Sequence, residues 1–363
     1  MKAQISIITM LALLLPTQLV FAYPGESIVR DANGDYVVTY WNGANLMRSI
    51  FFPATKIEPK AKSRWQLSTA NLITYRYAIA NGGGAKQSIT SVRIGNISRI
   101  FGSQTMPTIS SITTPEAAIA AVQKMSKALV IPNGWEGVAD VDPLNSSALQ
   151  ADWFFFTSNH PNNSAIGVMP GSEIHGFGYS SPDMPGIGSM QLEGEVENQG
   201  VYEDEGPDPQ ESAIASQLEQ IEKNDFVLRN VASPSISIPV PFDAAVLLDR
   251  IRTHVATWPG RQLLDPAFAA QLDSYMVAAV DAYRLNNTKA GREHIMTVRR
   301  MLVKEHHHVD HDDEDDDDTE ERKTATRLSI DRLAARVLDF DLRYVLKRAE
   351  REHEEREGKK GWD

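Results

Sequence analysis

The sequence predicts an α+β multidomain protein, with an N-terminal antiparallel β-sandwich carrying one covering helix and a C-terminal antiparallel helical bundle. Three observations lead to this fold class. Short β-prone runs separated by Gly, Pro, Asn and Ser fill residues 23–200, and an acidic, proline-rich segment follows at 201–241. From 242 to 354 the apolar residues recur at helical spacing. The chain has 363 residues, a length that also favours more than one domain.

Residues 1–22 have the pattern of a secretory signal peptide. Lys2 precedes a short apolar run, and the small side chains of Val20 and Ala22 occupy the positions that a signal peptidase reads. The run is shorter than the roughly 20 apolar residues that a membrane-spanning helix needs. We therefore expect a soluble exported protein, periplasmic or extracellular, with no stable membrane insertion after cleavage. The chain has no cysteine, so its stability must come from burial rather than from disulfides.

The β-rich part begins with a predicted hairpin. Residues 28–30 and 36–41 are β-prone, and Asn33 with Gly34 suits the tight turn between them. The acidic residues of this turn match only part of a calcium loop, because its twelfth position is Asn42. After this hairpin, a further strand is expected before the glycine triple at 82–84, with a returning strand at 92–97.

One helix is expected to cover this β domain. Thr114 can cap its N-terminus, Pro115 suits the first helical position, and apolar residues from Ile119 to Leu129 recur at helical spacing. A Pro-Asn-Gly sequence at 132–134 ends it. The width of the apolar stripe is typical of a core contact.

The second half is predicted to be mostly helical. The linker at 201–241 contains a short helix at 212–223 and a β-like run at 226–240. Helical spacing covers 243–258, 265–285, 289–306 and 324–354, and three or four such helices joined by short turns would then form the bundle. Residues 355–363 form a charged tail.

Two segments of the β-rich part resemble exported bacterial β-sandwich proteins of uncharacterised function. They are residues 72–94 (LITYRYAIANGGGAKQSITSVRI) and 168–186 (VMPGSEIHGFGYSSPDMPG), which together cover about 40 of the 363 residues. The resemblance implies a sandwich fold, and it implies no catalytic residue.

Residues 305–321 contain four histidines and eleven carboxylates, with no Lys or Arg. Imidazoles bind zinc and nickel and carboxylates bind calcium, so a divalent cation is the predicted ligand. The residues expected to bind it are His306, His307, His308, Asp310, His311, Asp312 and Asp313. The alternative is a solvated loop between two helices, because its histidines and acids suit the dipoles of the flanking helix ends.

No catalytic or cofactor-binding residue is assigned from the sequence. The chain has no serine in a glycine elbow, no His-Glu-x-x-His motif and no cysteine, so a non-enzymatic role is favoured. The alternative is a secreted hydrolase with a dispersed site, for which Asp152, His160 and His175 are the candidates. The acidic tract, residues 305–321, carries most of the negative charge. Without it the net charge of the chain would be about −1 rather than −12. The rest of the chain is therefore not basic, and no nucleic-acid partner is expected.

The sequence therefore predicts an exported binding or structural protein. Its expected partners are divalent metal ions and a protein or another component of the cell envelope. Besides the hydrolase, a purely structural envelope component remains as an alternative.

Overall fold

The protein has mixed α and β content, with β-sheets in its N-terminal part and five α-helices towards the C-terminus of the described chain. The computed structural model describes residues 23–68, 72–97, 100, 123, 126–142, 145–155, 167–196, 206, 213–307 and 329–360. The predicted signal peptide and most of the predicted covering helix lie outside the described residues.

Eleven strands form three sheets within the described residues. The strands are β1 (Ser27–Arg30), β2 (Tyr36–Trp41), β3 (Leu46–Phe51), β4 (Pro59–Leu67), β5 (Ile73–Asn81), β6 (Ile89–Ile97), β7 (Glu136–Asp142), β8 (Asn145–Phe154), β9 (Glu173–Ser181), β10 (Met184–Gly194) and β11 (Val227–Ile236). Their orders are β1-β2-β3, β4-β5-β9 and β11-β10-β6-β8-β7, and every pairing is antiparallel.

The helices are α1 (Ala213–Lys223), α2 (Ala244–Val255), α3 (Pro266–Arg284), α4 (Thr288–His307) and α5 (Arg332–Lys360). A short 3₁₀ turn, Pro259–Arg261, follows α2. Aspartates cap the N-termini of three of these helices, and aspartate is among the residues that N-cap positions favour. Asp243 caps α2, Asp265 caps α3, and the Asp331 carboxylate accepts from the backbone N–H groups at the start of α5.

The chain divides into two compact units, Met1–Ala54 with Val196–Asp225, and Thr55–Glu195 with Phe226–Asp363. The boundaries expected from the sequence, at residues 200 and 241, stay a prediction. The segment between them contains α1 in the first unit and β11 in the second. Because β11 pairs with β10 along its length, it is an integral strand of the five-stranded sheet.

The first unit contains the hairpin expected from the sequence. Arg30 pairs with Tyr36, and Gly34 in the connecting turn has a φ of 86°, a left-handed conformation that glycine adopts readily. The Asp31 carboxylate accepts hydrogen bonds from two backbone N–H groups within the turn, at 2.8 and 2.9 Å. This bonding supports the interpretation of 31–35 as a turn. Helix α1 contributes two buried side chains, Ile214 and Leu218, to the core of the unit.

The second unit separates two strands that the sequence suggested were neighbours. β5 and β6 flank the glycine triple, but β5 pairs with β4 and β9 whereas β6 pairs with β8 and β10. The expectation that β6 returns along β5 is therefore wrong. The connecting turn is held by Glu58, whose carboxylate accepts from the Gly84 N–H at 3.2 Å. The chain thus crosses from one sheet to the other at this turn.

Buried aromatic and hydroxyl groups join these two sheets. The Tyr77 hydroxyl on β5 donates to the Ala232 carbonyl on β11 at 2.9 Å, and the Ala232 N–H donates to Ser63 Oγ on β4. Tyr179 on β9 stacks on Trp153 of β8, with ring centroids 6.2 Å apart and planes at 11°. All three aromatic side chains are buried, so they form the core between the sheets.

The helices from α2 onward belong to the same hydrophobic core as these sheets. Apolar side chains from α2, α3, α4 and α5 are buried in it, among them Leu248, Leu272, Val298 and Leu338. Arg299 of α4 donates to Asp339 of α5 at 2.8 Å. Helix α5 therefore packs against both α4 and the core, while its remaining face stays accessible.

Candidate functional site

The metal ligands expected from the sequence fall largely outside the described residues. His306 and His307 are the last two residues of α4, of which the structure describes only the backbone. His308, Asp310, His311, Asp312 and Asp313 lie outside the described residues. Elsewhere in the described chain, no group of three or more His, Asp or Glu side chains is arranged to hold a metal ion. The metal site stays a prediction.

Two residues of the predicted dispersed hydrolase site, Asp152 and His175, lie on different sheets. Asp152 is on β8, where its carboxylate accepts from Arg93 at 2.6 Å and from Gln150 at 2.8 Å. His175 is on β9, exposed to solvent, and its Nε2 lies 3.8 Å from the Glu173 carboxylate. His160 lies outside the described residues. The hydrolase stays a prediction.

A set of cations lies on the outer surface of the β4-β5-β9 sheet. Strand β4 alternates regularly, so that Lys62, Arg64 and Gln66 are exposed while Ser63 is buried and Trp65 is half-buried. This alternation follows from the two-residue repeat of a strand, which sends successive side chains to opposite faces. The outward side chains of β4 are therefore polar or cationic.

Two arginines occupy directly opposite backbone positions on this surface. The antiparallel register of β4 and β5 places Arg64 directly opposite Arg76, and both side chains are exposed. Arg64 has no hydrogen bond or ion pair within the described residues, and Arg76 donates to the backbone carbonyl of Tyr75. Like charges at directly opposite positions destabilise a strand pair by a fraction of a kcal/mol, on the order of 0.2–1 kcal/mol.

Helix α5 adds a further cation beside these strands. The Arg336 guanidinium lies over the Trp65 ring, 5.0 Å from its centroid. Phe340, one turn further along α5, meets the same Trp65 ring edge-to-face at 6.3 Å. Trp65 therefore contacts both Arg336 and Phe340 of α5, which packs the helix beside β4.

These side chains line an open depression of about 1040 Å³. We call its five basic residues, Lys62, Arg64, Arg76, His175 and Arg336, the basic face. Glu173 is the acidic residue that lines the same depression, and its carboxylate lies 3.7 Å from Lys62 Nζ. With histidine neutral, four positive charges thus face one negative charge, in a chain whose net charge is −12. Cations therefore predominate on the basic face.

Comparison with known proteins provides no relative. No protein-family model, curated protein or solved structure matches this chain. The site is therefore interpreted from its own geometry. Within the described residues, no helix is both long enough and apolar enough to cross a membrane.

A buried polar cluster lies beneath the basic face. The hydroxyls of Tyr77 and Tyr179 are 2.9 Å apart, and the Tyr75 hydroxyl donates to the Asp183 carbonyl. Burial raises the pKa of each of these tyrosines above its ordinary value, with neighbouring tyrosines adding to the increase for Tyr75 and Tyr77. Their hydroxyls therefore stay protonated at neutral pH and stabilise the core.

Asp341 on α5 is buried close to this cluster. Its side chain is 1% exposed, and Oδ1 has no hydrogen-bond partner within the described residues. Burial raises the pKa of the carboxyl group well above its ordinary value, which favours the neutral form. Asp341 does not line the basic face.

The sequence reasoning missed the basic face. Its cations come from β4, β5, β9 and α5, so they are separated by up to 274 positions along the chain, from Lys62 to Arg336. The acidic tract dominates the net charge, so the net charge gives no indication of these basic residues. The alternation of Lys60, Lys62 and Arg64 in β4 could have indicated a cationic sheet surface, but it could not identify Arg76 as the opposite residue.

Proposed function

We propose that the protein is an exported binding protein whose basic face takes a ligand with two or more oxyanion groups, such as carboxylates, phosphates or sulfates. The observation that carries this proposal is the directly opposite register of Arg64 and Arg76, which both line an open depression. An anion that contacts both arginines would offset the repulsion between their positive charges.

The residue types support an oxyanion ligand. Arginine presents a planar fork of donors that fits carboxylate and phosphate groups, and it retains its charge at all ordinary pH values. Arg64 has no partner to displace within the described chain, and Arg336 is held in place by Trp65. Binding therefore does not require an existing ion pair of these two arginines to be broken.

The size of the depression supports an extended ligand. Its volume of about 1040 Å³ is at the upper end of small-molecule sites, which range over roughly 300–1000 Å³. The depression is open rather than enclosed, so a longer chain could extend past its ends. A polymer that repeats its anionic groups would contact several cations at once, and each contact would add to the affinity.

The proposal can be tested by calorimetric titration of the full-length protein. The ligands are inorganic polyphosphate and dextran sulfate, with uncharged dextran as the blank. The Arg64→Gln/Arg76→Gln variant should bind either polyanion at least about tenfold more weakly for each arginine lost, because ionic hydrogen bonds contribute about 1.5–3 kcal/mol each.

The matched control is Arg48→Gln/Arg300→Gln, which removes two exposed arginines that do not line the depression. This variant should bind as the wild-type protein does. Equal losses in the two double variants would contradict the proposal, because general charge attraction would then explain the binding. Absence of binding by the wild-type protein to both polyanions would also contradict it.

We also propose the two architectural features that the sequence predicts, a β-sandwich and an antiparallel helical bundle. We propose that the two sheets of the second unit form the β-sandwich, supported by the Tyr77–Ala232 hydrogen bond and the Trp153–Tyr179 stack. We propose that the helices from α2 onward form the antiparallel bundle. Export rests on the pattern of residues 1–22, and fractionation of cells that express the full chain tests it.

Divalent-cation binding by residues 305–321 stays a prediction from composition. Calorimetry with zinc, nickel and calcium, on the intact protein and on a variant lacking residues 306–318, tests it. The intact protein should bind at least one of the three ions and the variant should not. Equal titration curves would end the prediction.

A further inference from the structure

A second pocket lies between the end of β4 and helix α5, next to the basic face. Its volume is about 430 Å³, within the range of roughly 300–1000 Å³ that is typical of small-molecule sites. We call it the α5 pocket and define it by six of its lining residues, Leu67, Phe340, Tyr344, Lys347, Arg348 and Arg351.

One part of the α5 pocket is apolar. Leu67, Phe340 and Tyr344 are each partly buried and pack against the main hydrophobic core. Phe340 is fixed by its edge-to-face contact with Trp65. Burial raises the pKa of the Tyr344 hydroxyl, so this side chain stays neutral and adds a ring face rather than a charge. An aliphatic chain would be removed from water against this surface.

The other part of the pocket is cationic. Lys347 and Arg351 are one helical turn apart, both exposed, and neither has a hydrogen bond or an ion pair within the described residues. Two other arginines beside the pocket are already engaged. Arg343 pairs with Asp339 at 2.8 Å, and Arg348 lies 3.4 Å from Glu352 and over the Phe242 ring. Lys347 and Arg351 are therefore the cations available to a ligand.

We propose that the α5 pocket binds an anionic amphiphile, a single molecule with an alkyl tail and one carboxylate or phosphate head group. The tail lies against Leu67, Phe340 and Tyr344, and the head group is bound by Lys347 and Arg351. This ligand differs from that of the basic face, since the basic face has no comparable apolar surface beyond Trp65, which Arg336 covers. The two sites have separate cations and can be tested separately.

The pocket favours a single molecule over a lipid surface because its apolar residues form a recess between a strand end and a helix. A membrane would contact protruding apolar side chains, whereas Leu67, Phe340 and Tyr344 are all partly buried. The neighbouring charges also suit one head group, since the two free cations are adjacent on one face of α5.

Calorimetric titration of the full-length protein tests this proposal. The ligands are dodecanoate and dodecyl phosphate, both kept below the concentration at which they form micelles, with dodecanol and dodecyltrimethylammonium as uncharged and cationic comparisons. We expect one or both anionic ligands to bind, and the two comparisons to bind at least about tenfold more weakly, since each ionic hydrogen bond contributes about 1.5–3 kcal/mol. The choice between the two anions identifies the head group.

Variants assign the binding to the pocket. Lys347→Gln/Arg351→Gln should weaken binding of the preferred anion at least about tenfold. The matched control is Arg300→Gln/Lys304→Gln, which removes an arginine and a lysine with the same spacing from exposed positions on α4. Arg64→Gln/Arg76→Gln should leave amphiphile affinity unchanged, which separates this proposal from that of the basic face.

Three results would overturn the proposal. The first is equal affinity for dodecanol and for the anionic ligands, which would mean that the cations do not contribute. The second is equal weakening by the α4 and α5 double variants. The third is binding to vesicles of anionic phospholipid without binding to either anionic ligand as a monomer, which would assign the surface to a membrane.

Discussion

Arg64 on β4 and Arg76 on β5 are directly opposite each other in an antiparallel strand pair, on the solvent-exposed surface of the sheet. Folding of the second unit places at opposite strand positions two arginines that are 12 positions apart in the chain. Like-charge neighbours in this arrangement destabilise a sheet, so the pair costs folding free energy when no anion is present. A binding site for an anion is the functional explanation that we propose for this cost.

The first prediction concerns the stability of this strand pair. Arg64→Gln should increase the free energy of unfolding by about 0.2–1 kcal/mol at low salt, because it removes the like-charge pair. Added salt should reduce the difference, since exposed charges are screened. Urea denaturation at low and high ionic strength measures both effects. A variant less stable than the wild-type protein at low salt would show that Arg64 stabilises the sheet.

The second prediction concerns the glycine triple between β5 and β6. A Cβ atom on Gly82 would lie 2.2 Å from Glu58 Oε2 and 2.8 Å from Glu58 Cβ, whereas a Cβ on Gly83 would meet no atom within 4 Å. Gly82→Ala should therefore lower the free energy of unfolding by about 1–3 kcal/mol, as overpacking does. Gly83→Ala is the matched control and should change it little. Equal stabilities of the two variants, measured in urea, would contradict this account of the turn.

The third prediction concerns the pH dependence of stability near His254. Its Nε2 accepts a hydrogen bond from the Ile187 N–H at 2.9 Å, a bond that needs the neutral imidazole. Burial, together with the neighbouring Arg261, lowers the pKa of His254 from 6.5 to about 4. The unfolded chain therefore binds a proton at higher pH than the native protein does, and stability falls as the pH falls from about 6.5 to about 4.

The contribution of His254 is obtained by comparison with His254→Gln, which cannot titrate. Between pH 6.5 and 4 the wild-type protein should lose up to about 3 kcal/mol more than the variant, at about 1.4 kcal/mol per pKa unit. Denaturation in urea at a series of pH values measures this difference. Parallel stability curves would show that His254 does not titrate differently in the native and unfolded states.

The fourth prediction concerns Asp341. Its carboxyl group is buried with Oδ1 unbonded in the described structure, and its raised pKa means that the unfolded chain releases the proton at lower pH. Wild-type stability should therefore decrease as the pH rises above the ordinary aspartate range. Asp341→Leu should be more stable at neutral pH by about 1–3 kcal/mol, the cost of an unsatisfied buried polar group. A less stable variant at every pH would indicate that the carboxyl group has a stabilising partner.

Part of the fold could be predicted because its determinants are local. The first hairpin follows from Asn33 and Gly34 between two β-prone runs, and α3 follows from Asp265 before Pro266 and an apolar stripe. The crossover from β5 to β6 could not be predicted in this way. Each strand has buried apolar residues, and these do not specify which sheet the strand joins.

The candidate site was less predictable than the fold. The acidic tract at 305–321 is conspicuous because its charges are consecutive, whereas the basic face depends on strand register and on how α5 packs beside Trp65. Local composition contains neither kind of information. Net charge was equally uninformative, since a chain of charge −12 can still present a concave surface on which cations predominate.

Whether Arg64 and Arg76 bind an oxyanion, as we claim, can be observed on the two side chains themselves during titration. Arginine Nε–Hε NMR signals of the full-length protein, assigned with the Arg64→Gln, Arg76→Gln and Arg300→Gln variants, can be followed as inorganic polyphosphate is added. We expect saturable shifts of the Arg64 and Arg76 signals, with no shift for Arg300. Unchanged Arg64 and Arg76 signals, or shifts of equal size at Arg300, would contradict the claim.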